Sequence, residues 1–375
     1  MLGEGTYEKG KEIAQKNNWT KPGQEGALNY KMQFVVDEIP VISYNNEVQK
    51  DRQGNVMTVV RKDGRNIKKL KPYPLYFANL NADIDNSSEY KCFSMLSKPF
   101  TMRIQSLHSD LLEYIKKTVG LGVFFQYTNF GTRQSKGFGS FYIDEKDDLY
   151  KDIEDLKYRF SVDIRNENKK WLDLFNTIDL FYKSLRSGIN ICWGWGDKFR
   201  MNSAIYQYAK ENNYDWDKTL IKDYFFRGIE PKQENKFLFK DLLGLSSDES
   251  WMSYRTSITK EHSEKNDDKK IKRFQSPIII KPILRGEYFD VFVDSMKNAK
   301  ELFSQYCNEE FNIEAKNTKK KPLSLTTLPE FDIDDFLKFA LLENDIGNLT
   351  DNRNHEIFLK LRDIYNEIKR EHEEE

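Results

Sequence analysis

The stretch YRFSVDIRNENKKWLDLFNTIDLFYKSLRSG, residues 158–188, carries two hydrophobic patterns in direct succession. Apolar residues occupy every second position of 158–164, which predicts a strand with one buried face. From Trp171 to Leu185 they recur every three or four positions, which predicts a helix over 169–187. Gly188 follows where a helix commonly ends. A strand followed at once by an amphipathic helix indicates a fold of the α+β class.

Later segments extend this pattern toward a known supersecondary unit. FQSPIIIKPIL (274–284) and residues 288–293 are apolar and flank Arg285-Gly286, which predicts a hairpin, and a short helix is predicted over 299–306. The order strand, helix, strand, strand, helix is most of a βαββαβ unit. Residues 100–106 predict a strand, followed by a helix, the glycine-rich loop and a further predicted strand over 141–144. The sequence therefore predicts tandem ferredoxin-like (RRM-like) βαββαβ units with helical insertions and a helical C-terminus.

The length of 375 residues suggests about two domains. Residues 1–29 are expected to form a loose leader, and residues 30–150 the first ferredoxin-like unit with the glycine-rich loop. Residues 151–325 are expected to form the second unit with a helical insertion, in which a helix is predicted near 203–212. Residues 326–375 are expected to form the C-terminal helices. The last part has an apolar stripe that predicts a helix packed against the rest of the chain: Ile357, Leu361, Ile364, Tyr365 and Ile368.

Composition excludes several classes of protein. An aromatic content of 14% is enough to build a folded core. No apolar run approaches the ~20 residues of a membrane-spanning helix, and the first residues lack the apolar segment of a signal peptide, so a cytoplasmic location is expected. The three cysteines and four histidines are scattered, so no disulfide framework, metal site or cofactor is predicted. At a formal net charge of −1, any nucleic-acid site must be a local patch.

Sequence signatures of known catalytic sites are missing: there is no P-loop, no GxGxxG, no HExxH and no GxSxG elbow. The runs 83–85 (DID) and 332–335 (DIDD) could hold a divalent cation, but helix capping or a solvated loop is the favoured interpretation. His108, at the start of a predicted helix, could act as a general base in an RNA-cleaving site. A single histidine without a placed partner is more often an ordinary surface residue.

The stretch NFGTRQSKGFGSFY, residues 129–142, has the composition of a backbone-binding loop. Its glycines let the chain approach a partner closely and expose backbone N–H groups. A phosphodiester backbone attracts such donors and nearby cations, and unpaired bases stack on aromatic rings. The competing interpretation is an ordinary turn with solvated charges. The candidate RNA-binding residues here are Gly131, Arg133, Lys136, Gly137, Phe138 and Gly139.

Two other places combine similar residue types more weakly. Trp193 and Trp195 alternate with glycines ahead of Lys198 and Arg200, and residues 61–71 form a basic stretch. Each of these alone is more often a packed loop or a solvated face. The charge runs EHSEKNDDKKIKR (261–273) and KNTKKK (316–321) are likewise predicted to be solvated loops or linkers.

The glycine-rich stretch NFGTRQSKGFGSF, preceded by a strand and a helix, resembles the glycine-rich loop of the RAMP superfamily of CRISPR effector subunits. KSLRSGIN (183–190) and RFQSPIIIKPIL (273–284) resemble the Cmr-type (type III-B) branch. The nearest resemblance is to the subunit near the guide RNA 3′ end. It covers roughly residues 100–293, and the glycine loop is its most distinctive part.

This resemblance implies a non-catalytic RNA-binding subunit of a ribonucleoprotein complex in antiviral defence, with guide or target RNA and other effector subunits as partners and no membrane. Arg133, Lys136, Gly137 and Gly139 fall on the family's loop and would inherit backbone contacts. Arg186, Trp193 and Trp195 are further RNA-binding candidates. Two alternatives stay open: a metal-independent endoribonuclease of the RAMP type that uses His108 and Lys136, and a protein-assembly subunit that uses the acidic C-terminal helices.

Overall fold

The computed structural model describes residues 7–21, 27–37, 41–45, 51, 53–60, 66–68, 90–94, 98–131, 133–153, 156–164, 170–193, 197–231, 236–251 and 254–374. The chain divides into two compact units, residues 1–121 with 144–148, and residues 122–143 with 149–375. The sequence predicts a boundary between the two units near residue 150. The glycine-rich loop therefore lies within the second unit, because it packs on strands from the C-terminal half.

The first unit contains one helix, six short strands and a second helix among its described residues: α1 (Tyr7–Lys16), β1 (Lys31–Val35), β2 (Val41–Asn45), β3 (Thr58–Val60), β4 (Asn66–Lys68), β5 (Tyr90–Ser94), β6 (Thr101–Gln105) and α2 (Ser109–Tyr114). The strands pair as antiparallel ribbons, β1 with β6, β2 with β5 and β3 with β4. Ala14, Trp19 and Leu111 form a small buried core. Trp19 Nε1 donates a hydrogen bond of 2.7 Å to Asp110, which joins the segment after α1 to α2.

A π-helical turn (Ile115–Val119) and α3 (Leu121–Gln126) lead into the second unit. Its further elements are β7 (Tyr158–Asp163), α4 (Lys170–Arg186), β8 (Ile189–Trp193), β9 (Asp197–Met201), α5 (Ala204–Glu211), α6 (Asp217–Lys222), β10 (Asp248–Trp251), β11 (Thr256–His262), β12 (Ile278–Arg285), β13 (Tyr288–Ser295), α7 (Ala299–Ser304), β14 (Glu310–Ala315), β15 (Leu323–Thr326), α8 (Ile333–Lys338) and α9 (Glu356–Glu374). The mixture of helices and small sheets confirms the α+β class.

The main sheet of the second unit has the strand order β12-β13-β7, with all neighbours antiparallel. The predicted alternation in β7 is confirmed, since Tyr158, Phe160 and Val162 are buried and the residues between them are exposed. The predicted helix is α4, whose Phe181 ring lies 5.0 Å from that of Phe160. The predicted hairpin is β12–β13, and Gly286 at its turn has φ +59°. Local periodicity thus located this layer of the fold correctly.

The segments β7, α4, β12 and β13 follow the order of a βαββαβ unit, but no fourth strand pairs with β7 among the described residues. Helix α9 lies along β7 instead, where the Glu367 carboxylate accepts a 2.9 Å hydrogen bond from the Ser161 N–H. A second sheet has the order β10-β11-β14-β15. Tandem ferredoxin-like units therefore stay a prediction. No helix of the described segments is long and apolar enough to cross a membrane.

One predicted strand is wrong. Residues 141–144 form no regular strand, and only an isolated bridge joins Asn129 to Ser140. The backbone here is engaged by side chains instead, because the Phe141 carbonyl accepts from the Lys281 ammonium. The predicted helix at 203–212 is confirmed as α5, and Ser203 caps it by accepting from the Tyr206 N–H. The C-terminal stripe is confirmed, with Leu361, Ile364, Tyr365 and Ile368 buried along α9.

Candidate nucleic-acid interface

The glycine-rich loop is held in one compact conformation by its backbone. The Phe130 N–H donates to the Gly139 carbonyl at 2.9 Å, closing the loop upon itself. Gly137 and Gly139 have φ of +81° and +67°, in the left-handed region that favours glycine. A Cβ on Gly139 would lie 1.7 Å from the Phe130 carbonyl oxygen, and one on Gly137 would lie 3.0 Å from Pro282. Both positions therefore require glycine, whereas Gly131 has open space around it.

Hydrogen bonds from a side chain of strand β12 and from one of the loop hold the loop against this strand. Lys281 is 0% exposed, and its ammonium donates to the carbonyls of Thr128 and Phe141 at 3.1 and 2.7 Å. It also donates to Asn129 Oδ1 at 3.3 Å. The Asn129 amide in turn donates to the Ile280 carbonyl at 2.8 Å. One buried cation thus joins the start and the end of the loop, and burial lowers its pKa to about 7.

Aromatic rings fix the side of the loop that meets helix α4. Phe138 stacks on Phe175 with ring centroids 4.1 Å apart and an interplanar angle of 10°. One face of Phe138 is therefore covered by α4. Phe130 packs edge-on against Phe124 and Phe141 and is 38% exposed, so it is the more accessible ring of the loop.

The Lys136 ammonium of the loop lies over the Tyr182 ring of helix α4, 5.2 Å from its centroid, and is affected by the cations of that helix. Burial lowers the pKa of Lys136 to about 8, and the positive charges of Arg133, Arg186 and Lys183 add to this effect. The carboxylate of Asp179 opposes it, and Asp179 itself pairs with Lys183 at 2.5 Å. We call these four cations the loop–α4 cluster: Arg133, Lys136, Lys183 and Arg186. Because cations repel one another, a bound anion would stabilise this arrangement.

Arg186 contacts a network of buried charged side chains. The Arg186 guanidinium donates to the Gly244 carbonyl and lies 3.7 Å from Asp241. Asp241 pairs with Lys260, and Lys260 also pairs with Glu249 at 2.8 Å. Burial alone would lower the pKa of Lys260, but the two carboxylates outweigh it and raise that pKa. Arg186 is therefore anchored in the protein interior while its charge contributes to the loop–α4 cluster.

Two family models match the chain. The model of the Cmr1 N-terminal domain matches residues 4–189, and that of the Cmr1 C-terminal domain matches residues 200–367. The chain belongs to the Cmr1 family. The predicted resemblance is thereby confirmed: this is a Cmr1-type RAMP subunit of a type III-B CRISPR effector complex, which is an assembly of several proteins. No curated protein and no solved structure matches it significantly.

The two Cmr1 domains share the candidate interface. The glycine-rich loop and α4 fall in the region of the N-terminal domain, whereas β12 with Lys281 falls in the region of the C-terminal domain. Sequence reasoning missed Lys281, because it interpreted the run IIIKPIL only as a strand. A lysine in the middle of an apolar run was the available signal, since such a side chain needs buried acceptors.

The remaining candidates of the Cmr1 chain lie elsewhere or outside the described residues. Trp193 ends strand β8, and Trp195 lies outside the described residues. Of the basic stretch 61–71, only Asn66–Lys68 is described, as strand β4. Structure brings together the loop residues and Arg186, which are far apart in sequence.

The residues considered for a metal site or for catalysis either have a structural role or lie outside the described residues. Asp332 caps α8 by accepting from the N–H groups of Asp334 and Asp335, as the favoured interpretation predicted, and residues 83–85 lie outside the described residues. Across the described segments, no three His, Cys, Asp or Glu side chains come together as a metal site. His108 Nε2 lies 3.4 Å from the Asn29 amide, in the first unit, whereas Lys136 belongs to the second unit.

Proposed function

We propose that this Cmr1-family chain is a non-catalytic RNA-binding subunit of its type III-B complex and holds the backbone of guide or target RNA at the glycine-rich loop. The loop–α4 cluster is the observation that carries this proposal. Three of its cations, Arg133, Lys183 and Arg186, act on the fourth, the half-buried Lys136, whose pKa is lowered to about 8. A phosphate placed there would pair with several cations at once and favour the protonated form of Lys136.

The shape of the loop favours contact with the RNA backbone over reading of bases. The space that a Cβ would occupy at Gly131 has no other atom within 4 Å, so a strand of RNA can approach the main chain there. Phe138 has one ring face covered by Phe175, which leaves less surface for a base. Contacts to phosphates position a nucleic acid without selecting its sequence. We therefore expect similar affinity for RNAs of unrelated sequence.

The described geometry gives less support to the two alternatives. A metal-independent endoribonuclease needs a general base and a cation at the scissile phosphate. His108 has its ring next to Asn29 and is not brought to a cation by any described contact. An assembly role for the acidic C-terminal helix is weakened because Glu371 pairs with Arg159 and Glu367 binds Ser161 within the same chain.

The salt dependence of RNA binding tests the proposal. Each phosphate neutralised on single-stranded RNA contributes about −0.7 to the slope of log K against log salt. The double variant Arg133→Ala/Lys136→Ala should flatten that slope by roughly 1 to 1.4. The charge-conserving variant Arg133→Lys/Lys136→Arg is the matched control and should keep the wild-type slope. Binding is measured by fluorescence anisotropy with single-stranded RNAs of unrelated sequence.

An unchanged slope in a folded Arg133→Ala/Lys136→Ala protein would make the loop an ordinary turn and remove the proposed contact. Cleavage of the RNA at defined positions by the wild-type protein, lost in His108→Ala, would instead favour the endoribonuclease alternative.

A further inference from the structure

A second group of aromatic rings lies in the C-terminal half of the second unit. Phe226 and Tyr254 stack with centroids 4.1 Å apart and an interplanar angle of 14°. Trp251 lies 6.4 Å from Phe226 and 6.3 Å from Tyr254. They come from the π-helical turn Asp223–Arg227, from the end of β10 and from the turn before β11. All three rings and the nearby Tyr224 remain partly exposed.

Cations from two segments lie against these rings. The Lys222 ammonium is 5.9 Å from the centroid of Tyr254, and that of Lys320 is 4.4 Å from the centroid of Tyr224. Lys320 also donates to the Tyr224 carbonyl at 2.5 Å, and the Tyr224 hydroxyl donates to the Lys321 carbonyl at 3.2 Å. The basic run 316–321, which the sequence predicts as a solvated loop, is thus fastened beside the rings.

Basic residues outnumber acidic ones in the segments that carry or contact these rings. The run KNTKKK contains no acidic residue. Asp223 is the acid of the π-helical turn, and it pairs with Arg227 at 2.9 Å. Glu249 interacts with Trp251 but is already paired with Lys240 and Lys260. The exposed cations of the segments that carry or contact these rings are Arg227, Arg255, Lys316, Lys319, Lys320 and Lys321.

We propose that these rings and cations form a second RNA contact, a stacking platform for unpaired bases of a single strand. Phe226 and Tyr254 each cover one face of the other, so a base would stack on the remaining exposed part of this pair or on Trp251. The nearby lysines and arginines would attract the phosphates between the bases. Duplex RNA keeps its bases paired and cannot use such a platform. The proposal rests on the proposed function only for the class of ligand, since the residues differ from those of the glycine-rich loop.

Substitutions at Tyr254 test the stacking contact. Tyr254→Leu keeps an apolar side chain but removes the ring, and should weaken binding of a fluorescein-labelled oligouridylate by about tenfold, with the salt slope unchanged. Tyr254→Trp keeps a stacking face and should bind like the wild type. Binding of a labelled RNA duplex should be the same for all three proteins. Equal binding of the oligouridylate by the wild type and a folded Tyr254→Leu protein would overturn the platform.

Charge removal gives a test that does not disturb the rings. Lys319→Ala/Lys321→Ala should flatten the salt slope by about 1.4 if each lysine meets one phosphate. Lys269→Ala/Lys272→Ala is the matched control, because these exposed lysines face Glu264 and Asp267 in the mixed-charge run 261–273. It should leave the slope unchanged. An equal effect of both double variants would mean that only overall charge matters, which contradicts a defined site.

Comparison with the loop variant separates this inference from the proposed function. If Arg133→Ala/Lys136→Ala weakens RNA binding and the Tyr254 and lysine variants do not, the platform is wrong and the loop contact stands. If the reverse holds, the platform is supported and the loop contact fails. If the platform variants bind RNA normally but no longer join the other effector subunits, the surface is a protein interface and the inference is overturned.

Discussion

Lys281 places an ammonium group with three N–H donors among three acceptor oxygens inside the second unit. Two of these acceptors are backbone carbonyls that flank the glycine-rich loop, Thr128 and Phe141, and the third is the Asn129 amide oxygen. Burial lowers its pKa from 10.5 to about 7 because the surroundings solvate the charge less well than water does. The loop is therefore closed by a residue that can change its charge near neutral pH.

This pKa predicts how stability depends on pH at Lys281. Between about pH 7 and 10.5 the unfolded chain binds the proton and the native chain has released it, so native stability rises with pH. Lys281→Met lacks this contribution. The unfolding free energy of the wild type minus that of the variant should therefore rise with pH, by up to about 1.4 kcal/mol per pH unit. Urea melts at several pH values within this window measure it. A pH-independent difference would contradict the buried, titrating lysine.

Helix α4 contacts both the sheet strand β7 and the glycine-rich loop. Phe181 is fully buried and its ring lies 5.0 Å from Phe160 of the sheet and 5.8 Å from Tyr365 of α9. Phe175, which belongs to the same predicted apolar stripe, is half-buried and stacks on Phe138 of the glycine-rich loop. The helix therefore connects the core of the second unit to the candidate RNA contact.

These two faces should respond differently to truncation. Phe181→Ala should cost about 3–5 kcal/mol of unfolding free energy, as for a buried aromatic ring. Phe175→Ala should cost less, because part of its ring already contacts solvent, but it should speed amide hydrogen exchange in the loop around Phe138. Chemical denaturation and hydrogen exchange measured on both variants provide the comparison. Equal losses of stability with unchanged exchange in the loop would show that Phe175 belongs to the core alone.

At the scale of the whole molecule, the two Cmr1 family domains are interlocked within one sheet. Strand β7 comes from the N-terminal domain and pairs with β13 of the C-terminal domain, with Phe160 opposite Val291. The strand that pairs with β7 thus lies beyond residue 200. Neither family domain contains this sheet by itself.

We expect the interlocking to appear when the chain is divided between β8 and β9. Residues 1–195 alone lack β12, β13 and α9, so β7 loses its partner strand and Phe181 of α4 loses its contact with Tyr365. The unpaired strand edge and the uncovered apolar side chains should make the fragment aggregate. Co-expression with residues 196–375 should give a soluble, stoichiometric complex. Val291→Asp in the second fragment is the control and should prevent association, because Val291 is fully buried. Cooperative unfolding of residues 1–195 on their own, measured by circular dichroism, would contradict a shared sheet.

The sequence by itself determined the elements whose patterns are local. The alternation in β7, the stripes of α4 and α9 and the β12–β13 hairpin follow from periodicity and turn chemistry, and all are confirmed. The glycine-rich loop and two further motifs also indicated the family, and the match to Cmr1 models over nearly the whole chain bears this out. Such features depend on residues that are close in sequence, so they can be recognised without knowing the tertiary structure.

Only the tertiary structure decided which distant residues share a site. It brings Arg186 to the loop cations, places Lys281 under the loop and sets the run 316–321 beside Tyr224. It also replaces the predicted strand 141–144 with backbone bound by Lys281. Whether a lysine is solvated or buried depends on strands and helices from elsewhere in the chain. That environment leaves no periodic signature around the residue, so it could not be inferred from the local sequence.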